Sequence, residues 1–109
     1  MSVYLKHYII WGWKLDKSKY ESSVSTLHNW DEVNPMSPCE VIIDQMGGNY
    51  ILFGQVVERS QNDYEPIFEY TPIYQSYLIT QDELTSEFKF AFGSLPEKEP
   101  KLFIITHVW

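Results

Sequence analysis

His7, His28, His107 and Cys39 are the residues of this 109-residue chain best suited to bind a metal or act as a nucleophile. No two of them stand at the short spacing of a metal knuckle, and no local signature surrounds the thiol. His7 and His107 fall in strand-like segments and would meet if the first and last strands pair, where satisfied sheet histidines are the plainer reading. Cys39, after Pro38 at the start of a strand, reads as a small buried hydrophobe. Asp31 and Glu32, with His28 and Asp44 nearby, carry the groups that acid–base work or Mg²⁺ would need. Adjacent residues of a proline-bearing loop converge poorly on one point, however, so a solvated loop is preferred. Gly47-Gly48 and Gly54 do not lead into a helix, and no lysine follows them, so no phosphate cradle is present. The expectation is no catalytic residue, no metal ligand and no cofactor.

Charge and aromatic rings are more informative. The net charge is −7. Residues 1–20 hold four lysines against one acid, a balance of +3, and the rest holds 14 acids against four bases, a balance of −10. Tyr4, Tyr8, Trp11 and Trp13 lie among those lysines, as in a base-stacking platform. Alternation would put the tyrosines and tryptophans on opposite faces, and the overall charge repels phosphate, so direct nucleic-acid binding is not expected. Between Arg59 and Lys89 the acids Asp63, Glu65, Glu69, Asp82, Glu83 and Glu87 occur without a single base. Within that run EPIFEYTPIYQSYLI (65–79) repeats a proline-aromatic phrase. Tyr64, Phe68, Tyr70, Tyr74 and Tyr77 beside Glu65 and Glu69 have the composition of an interface, with aromatic centre and charged rim. Duplex DNA carries about one charge per 1.7 Å of axis. Outward side chains of one strand lie about 6.6 Å apart, so Asp82, Glu83 and Glu87 would have to join Glu65 and Glu69 in any imitation of DNA.

These residues need a scaffold. The length suits one domain, 1–109, and the apolar fraction of 44% with 17% aromatic residues supports a packed core. Val3 to Leu15 alternates with period two and reads as a long strand, with Gly12 marking a bulge or a close approach. Asp16 or Ser18 can cap a helix over 17–28, and His28 to Pro38 reads as a loop because of its two prolines. Glu40 to Asp44 and Tyr50 to Val57 make a hairpin around Gly47-Gly48-Asn49. Residues 65–79 fit a half-buried strand, and Pro66 and Pro72 confine it to an edge or a bulge. Thr80-Gln81-Asp82-Glu83 matches a capping box, and Gly93 suits the helix stop. Phe88 to Phe92 also alternates, but cap and stop together favour helix. Lys101 to Trp109, nearly all apolar or β-branched, reads as an interior strand covered on both faces. The result is an α+β domain, β-α-β-β-β-α-β, with two helices on one face of a mainly antiparallel sheet; without the proline-bearing strand it is the ferredoxin-like order.

Tyr4 to Gly12, Gly47 to Val57 and Pro100 to His107 resemble segments of short phage and prophage proteins. The resemblance implies a protein of the host-takeover or anti-defence type, one that binds and inhibits a host protein such as a CRISPR or restriction nuclease at its nucleic-acid-binding region. The partner expected from charge is a protein with a basic surface, met by Asp63, Tyr64, Glu65, Phe68, Glu69, Tyr70, Tyr74, Tyr77, Asp82, Glu83 and Glu87. The alternatives are a structural protein forming a homodimer or larger homo-oligomer through aromatic faces, and a small metal-dependent enzyme using His28, Asp31, Glu32 and Asp44. One cysteine allows no intrachain disulfide, and Tyr8-Ile9-Ile10-Trp11 is too short to span a membrane, so no membrane association and a cytoplasmic location are expected.

Overall fold

Pairing between Leu5–Asp16 (β1) and Tyr50–Arg59 (β3) organises the molecule, whose computed structural model describes residues 5–20, 22–23, 27–44, 50–59 and 78–108. Glu40–Ile43 (β2) pairs with β3 and Lys101–Val108 (β4) with β1, every pair antiparallel, in the order β2-β3-β1-β4. Lys17–Tyr20 follows β1 as a 3₁₀ turn, Trp30–Val33 forms a single helical turn (α1), and Gln81–Phe92 forms a three-turn helix (α2). Strand order and directions among the described elements are those of the ferredoxin-like β-α-β-β-α-β arrangement, an α+β architecture.

Local chemistry accounts for most boundaries. Asp16 accepts hydrogen bonds from the Ser18 backbone N–H (3.0 Å) and hydroxyl (2.7 Å), which turns the chain out of β1. Both bonds favour the charged carboxylate and hold the Asp16 pKa below its ordinary value. Thr80 caps α2 by accepting from the Glu83 N–H at 3.1 Å, and Gly93 ends the helix in the left-handed conformation, φ 78°, donating to the Lys89 carbonyl at 2.8 Å. Residues 88–92 are thus helix. Gly12 proves to be a close approach: it lies opposite Gly54, and a Cβ on either glycine would collide with the other strand's backbone. The β1–β3 register shifts elsewhere, between Ile9 and Ile10.

The sheet has two apolar faces. On one, Trp13, Ile43, Ile51 and Phe53 meet Leu84 and Phe88 of α2, together with Leu27 and Trp30 and the partly buried Tyr20. On the other, Tyr8, Ile10, Ile42 and Leu52 are joined by Tyr50, Val56, Phe103 and Ile105. α1 and α2 therefore pack on one face of the sheet, with Tyr20 and Leu27 of the segment read as the first helix against the same side.

Four expectations need correction, the last only at its end. The 28–38 loop contains α1, because Trp30 folds inward to 4% exposure and closes a helical turn around itself. The 17–28 helix opens as a 3₁₀ turn, and of its remainder only Ser22, Ser23, Leu27 and His28 are described, the first three helical and His28 in a turn. β4 is an edge strand among the described strands, with Leu102 and Ile104 exposed, because β1 is its one described neighbour and no described strand pairs with its outer side. Of the 65–79 strand, residues 65–77 lie outside the described residues and Leu78 and Ile79 are not in a strand.

Gly12→Ala is expected to destabilise the domain by about 1–3 kcal/mol, since backbone rather than a flexible side chain must yield. Gly93→Ala, where a Cβ would meet open space but φ is positive, should cost about 1 kcal/mol. Chemical denaturation of the two variants measures the difference, and equal losses would refute the close-crossing account.

Candidate interaction surface

Of the eleven residues expected to bind a partner, Asp63, Tyr64, Glu65, Phe68, Glu69, Tyr70, Tyr74 and Tyr77 lie outside the described residues, and Asp82, Glu83 and Glu87 are carried by α2. The helix buries Leu84 and Phe88, so the opposite side faces outward with Asp82 and Glu83 exposed. At about 100° per residue, Glu83, Ser86, Glu87 and Phe90 share one flank, while Lys89 turns away from it. Acids in the first turn also suit the positive end of the helix dipole.

That flank faces the loop after α1. Trp30 donates its indole N–H to the Cys39 carbonyl at 3.1 Å, drawing the loop into a closed arc. Ser37 accepts from the Cys39 N–H at 3.1 Å and donates its hydroxyl to the Glu87 carboxylate at 2.9 Å, joining loop to helix across fifty residues of sequence. Between them runs an open groove lined by Val33, Pro35, Met36, Ser86, Glu87 and Phe90. Val33, Met36 and Phe90 are 69%, 92% and 70% exposed, three large apolar side chains at one place on the surface. Asp31 and Glu32, which precede Val33 on α1, are exposed. Among the described residues no Lys or Arg pairs with Asp31, Glu32, Asp82, Glu83 or Glu87.

No local pattern in the sequence marks this groove. Val33 and Met36 sat in a segment read only as a proline-bearing loop. Phe90, by contrast, carried a usable signal: it is a large aromatic lying off the Leu84, Phe88, Ala91, Phe92 stripe.

Other candidate residues are dispersed. His28, Asp31 and Glu32 are exposed, whereas Asp44 is buried at the end of β2, its N–H bonded to the Tyr50 carbonyl and its own carbonyl accepting from Lys17 at 3.1 Å. Among the described residues no three His, Cys, Asp or Glu side chains stand together as a metal site. Tyr8 is buried in one apolar cluster and Trp13 in the other, and Trp11 donates its indole N–H to the Ile79 carbonyl at 3.0 Å. The described rings of the stacking platform thus serve the core. No helix among the described residues is long and apolar enough to cross a membrane. No protein-family model, curated protein or solved structure matches the chain.

Cys39 is buried beneath the loop, and burial, assisted by the charge of Glu87, pushes its thiol up to about 12. The folded thiol keeps its proton to higher pH than the unfolded one. Its contribution to stability is therefore intact below about pH 8.5 and is lost as the pH climbs toward 12. Iodoacetamide at pH 8 should leave Cys39 unmodified in the native protein and alkylate it in denaturant. Ser37→Ala, which removes both loop bonds, should cost about 1–2 kcal/mol and accelerate native-state alkylation. Rapid labelling of the unmutated fold would contradict the burial.

Proposed function

We propose that this chain acts by binding, without catalysis, and that it docks on a basic surface of a larger protein. The observation that carries the reading is the outer side of α2, where Asp82 and Glu83 stand exposed, with Glu87 half-buried, and no cation pairs with them among the described residues. Unpaired acids on one side of a rigid helix repel each other in the free protein, and a cationic partner relieves that repulsion while steering the encounter. The base-free run from Asp63 to Glu87 extends the same chemistry along the sequence. Given the resemblance to phage proteins, the proposed partner is a host nucleic-acid-binding protein, such as a CRISPR or restriction nuclease, inhibited by occupation of its nucleic-acid-binding region.

A second reading, self-association, draws on β4. Its exposed Leu102 and Ile104 lie on an edge strand among the described strands, and such edges pair readily with another chain. Light scattering distinguishes a dimer from a monomer.

The test compares the unmutated chain with a variant carrying Glu65→Lys, Glu69→Lys, Asp82→Lys and Glu83→Lys. Each is used to capture proteins from candidate bacterial lysates at increasing salt, with mass spectrometry as the readout. The expected result is a nucleic-acid-binding protein held by the unmutated chain, released as salt rises, and retained at least tenfold less by a variant that still folds. Equal capture and equal salt sensitivity would overturn the proposal.

A further inference from the structure

We infer that the groove between α2 and the 33–37 loop receives a short amphipathic segment of the partner, its apolar side chains seated on Val33, Met36 and Phe90 and its Lys or Arg residues against Glu83, Glu87, Asp31 and Glu32. This rests on the reading of the chain as a binding protein and specifies what is bound. The site combines two features that seldom coincide by accident. Exposed apolar residues scattered singly are ordinary, but here three large ones line or border one groove, with Pro35 among them. Among the described residues Glu87 is the one charged residue lining that groove, and the charged residues of α1 and of the same flank of α2 are acids, with Lys89 on the next flank. An apolar centre with a rim of one sign selects a partner segment that is apolar in the middle and cationic at its edges. The same acids disfavour an anionic membrane surface.

The walls are already in place. α2 is capped at both ends and anchored by Phe88, which is fully buried. The loop is held by the Trp30–Cys39 and Ser37–Glu87 hydrogen bonds. Phe90 leans edge-on against Trp30, their ring centroids 6.0 Å apart, which limits its freedom without covering its outer side. A site ordered before binding loses little entropy on association. Ser37 occupies one acceptor position of the Glu87 carboxylate, which has others to offer a Lys or Arg.

The probe is a synthetic peptide of about four helical turns with Leu along one face and Lys on the other. Two controls accompany it: one with Leu replaced by Ser, which keeps the charge, and one with Lys replaced by Glu, which keeps the apolar face. Fluorescence anisotropy against the unmutated chain should show binding of the Leu/Lys peptide at least tenfold tighter than either control. Met36→Ala and Phe90→Ala should each weaken it severalfold to tenfold, as expected for apolar anchors. Glu83→Gln with Glu87→Gln should weaken it and flatten its salt dependence. Met36 is almost fully exposed, so its variant reports on binding even if Phe90→Ala disturbs the loop.

Failure of the unmutated chain to prefer the Leu/Lys peptide overturns the inference. So do unchanged affinities in both Met36→Ala and Phe90→Ala. If the charge variant alone loses affinity, the groove is not the seat of binding but the acidic docking surface stands. If no variant matters, the acidic reading of this helix fails as well. Light scattering supplies the remaining outcome: a homodimer abolished by Phe90→Ser would assign the groove to a second copy of the chain and refute the partner segment.

Discussion

Phe53 sits fully buried in the middle of β3, with the rings of Trp13, Trp30, Phe88 and Phe92 within 5.4 to 6.2 Å of its own. Trp13 belongs to the neighbouring strand, Trp30 to α1, and Phe88 and Phe92 to α2, so one ring joins the sheet to both helices. Trp13 stacks on Phe53 and the other three rings meet it edge-on, and aromatic pairs of either kind add about 0.5–1.5 kcal/mol to the benefit of burying their area. They also restrict orientation: α2 cannot roll about its axis without breaking the Phe53–Phe88 and Trp13–Phe88 contacts, the latter at 4.8 Å. The outward direction of Asp82, Glu83 and Phe90 is a consequence of that restriction.

The tryptophans have a second task. Trp11, Trp13 and Trp30 donate their indole N–H groups to the carbonyls of Ile79, Lys98 and Cys39. Ile79 precedes α2, Lys98 follows it, and Cys39 leads into β2. An indole N–H left unbonded in the core costs about 1–3 kcal/mol, so rings positioned by the sheet hold the connections around them. Ile79 is held twice, because its own N–H reaches the Gln55 side chain of β3 at 3.0 Å. Both walls of the groove thereby become extensions of the core, although neither is part of the sheet.

Much of the fold was legible in the chain. The period-two run of β1, the hairpin strands, and the Thr80 and Gly93 signals of α2 all lie within a few residues of the structure they specify. Two elements were not legible for different reasons. The prolines at 35 and 38 marked the 28–38 segment as a loop, but they say nothing about Trp30, whose helical turn forms because a large ring finds a pocket made by β3 and α2. Lys101 to Trp109 reads as an interior strand from its apolar run. Its place depends on which strands β1 accepts as neighbours, and composition does not encode that order; Phe103 and Ile105 found cover while Leu102 and Ile104 did not.

The sequence by itself determined the α+β class, the lengths of the main strands, the capped helix, and the uneven distribution of charge, because propensity, capping and periodicity act between residues that are close in the chain. Only the tertiary structure brought Ser37 to Glu87 and set Val33 and Met36 facing the flank of Phe90. Those meetings arise when separate segments bury their aromatic rings against a common sheet. A surface assembled in that way has no local pattern from which it could be read.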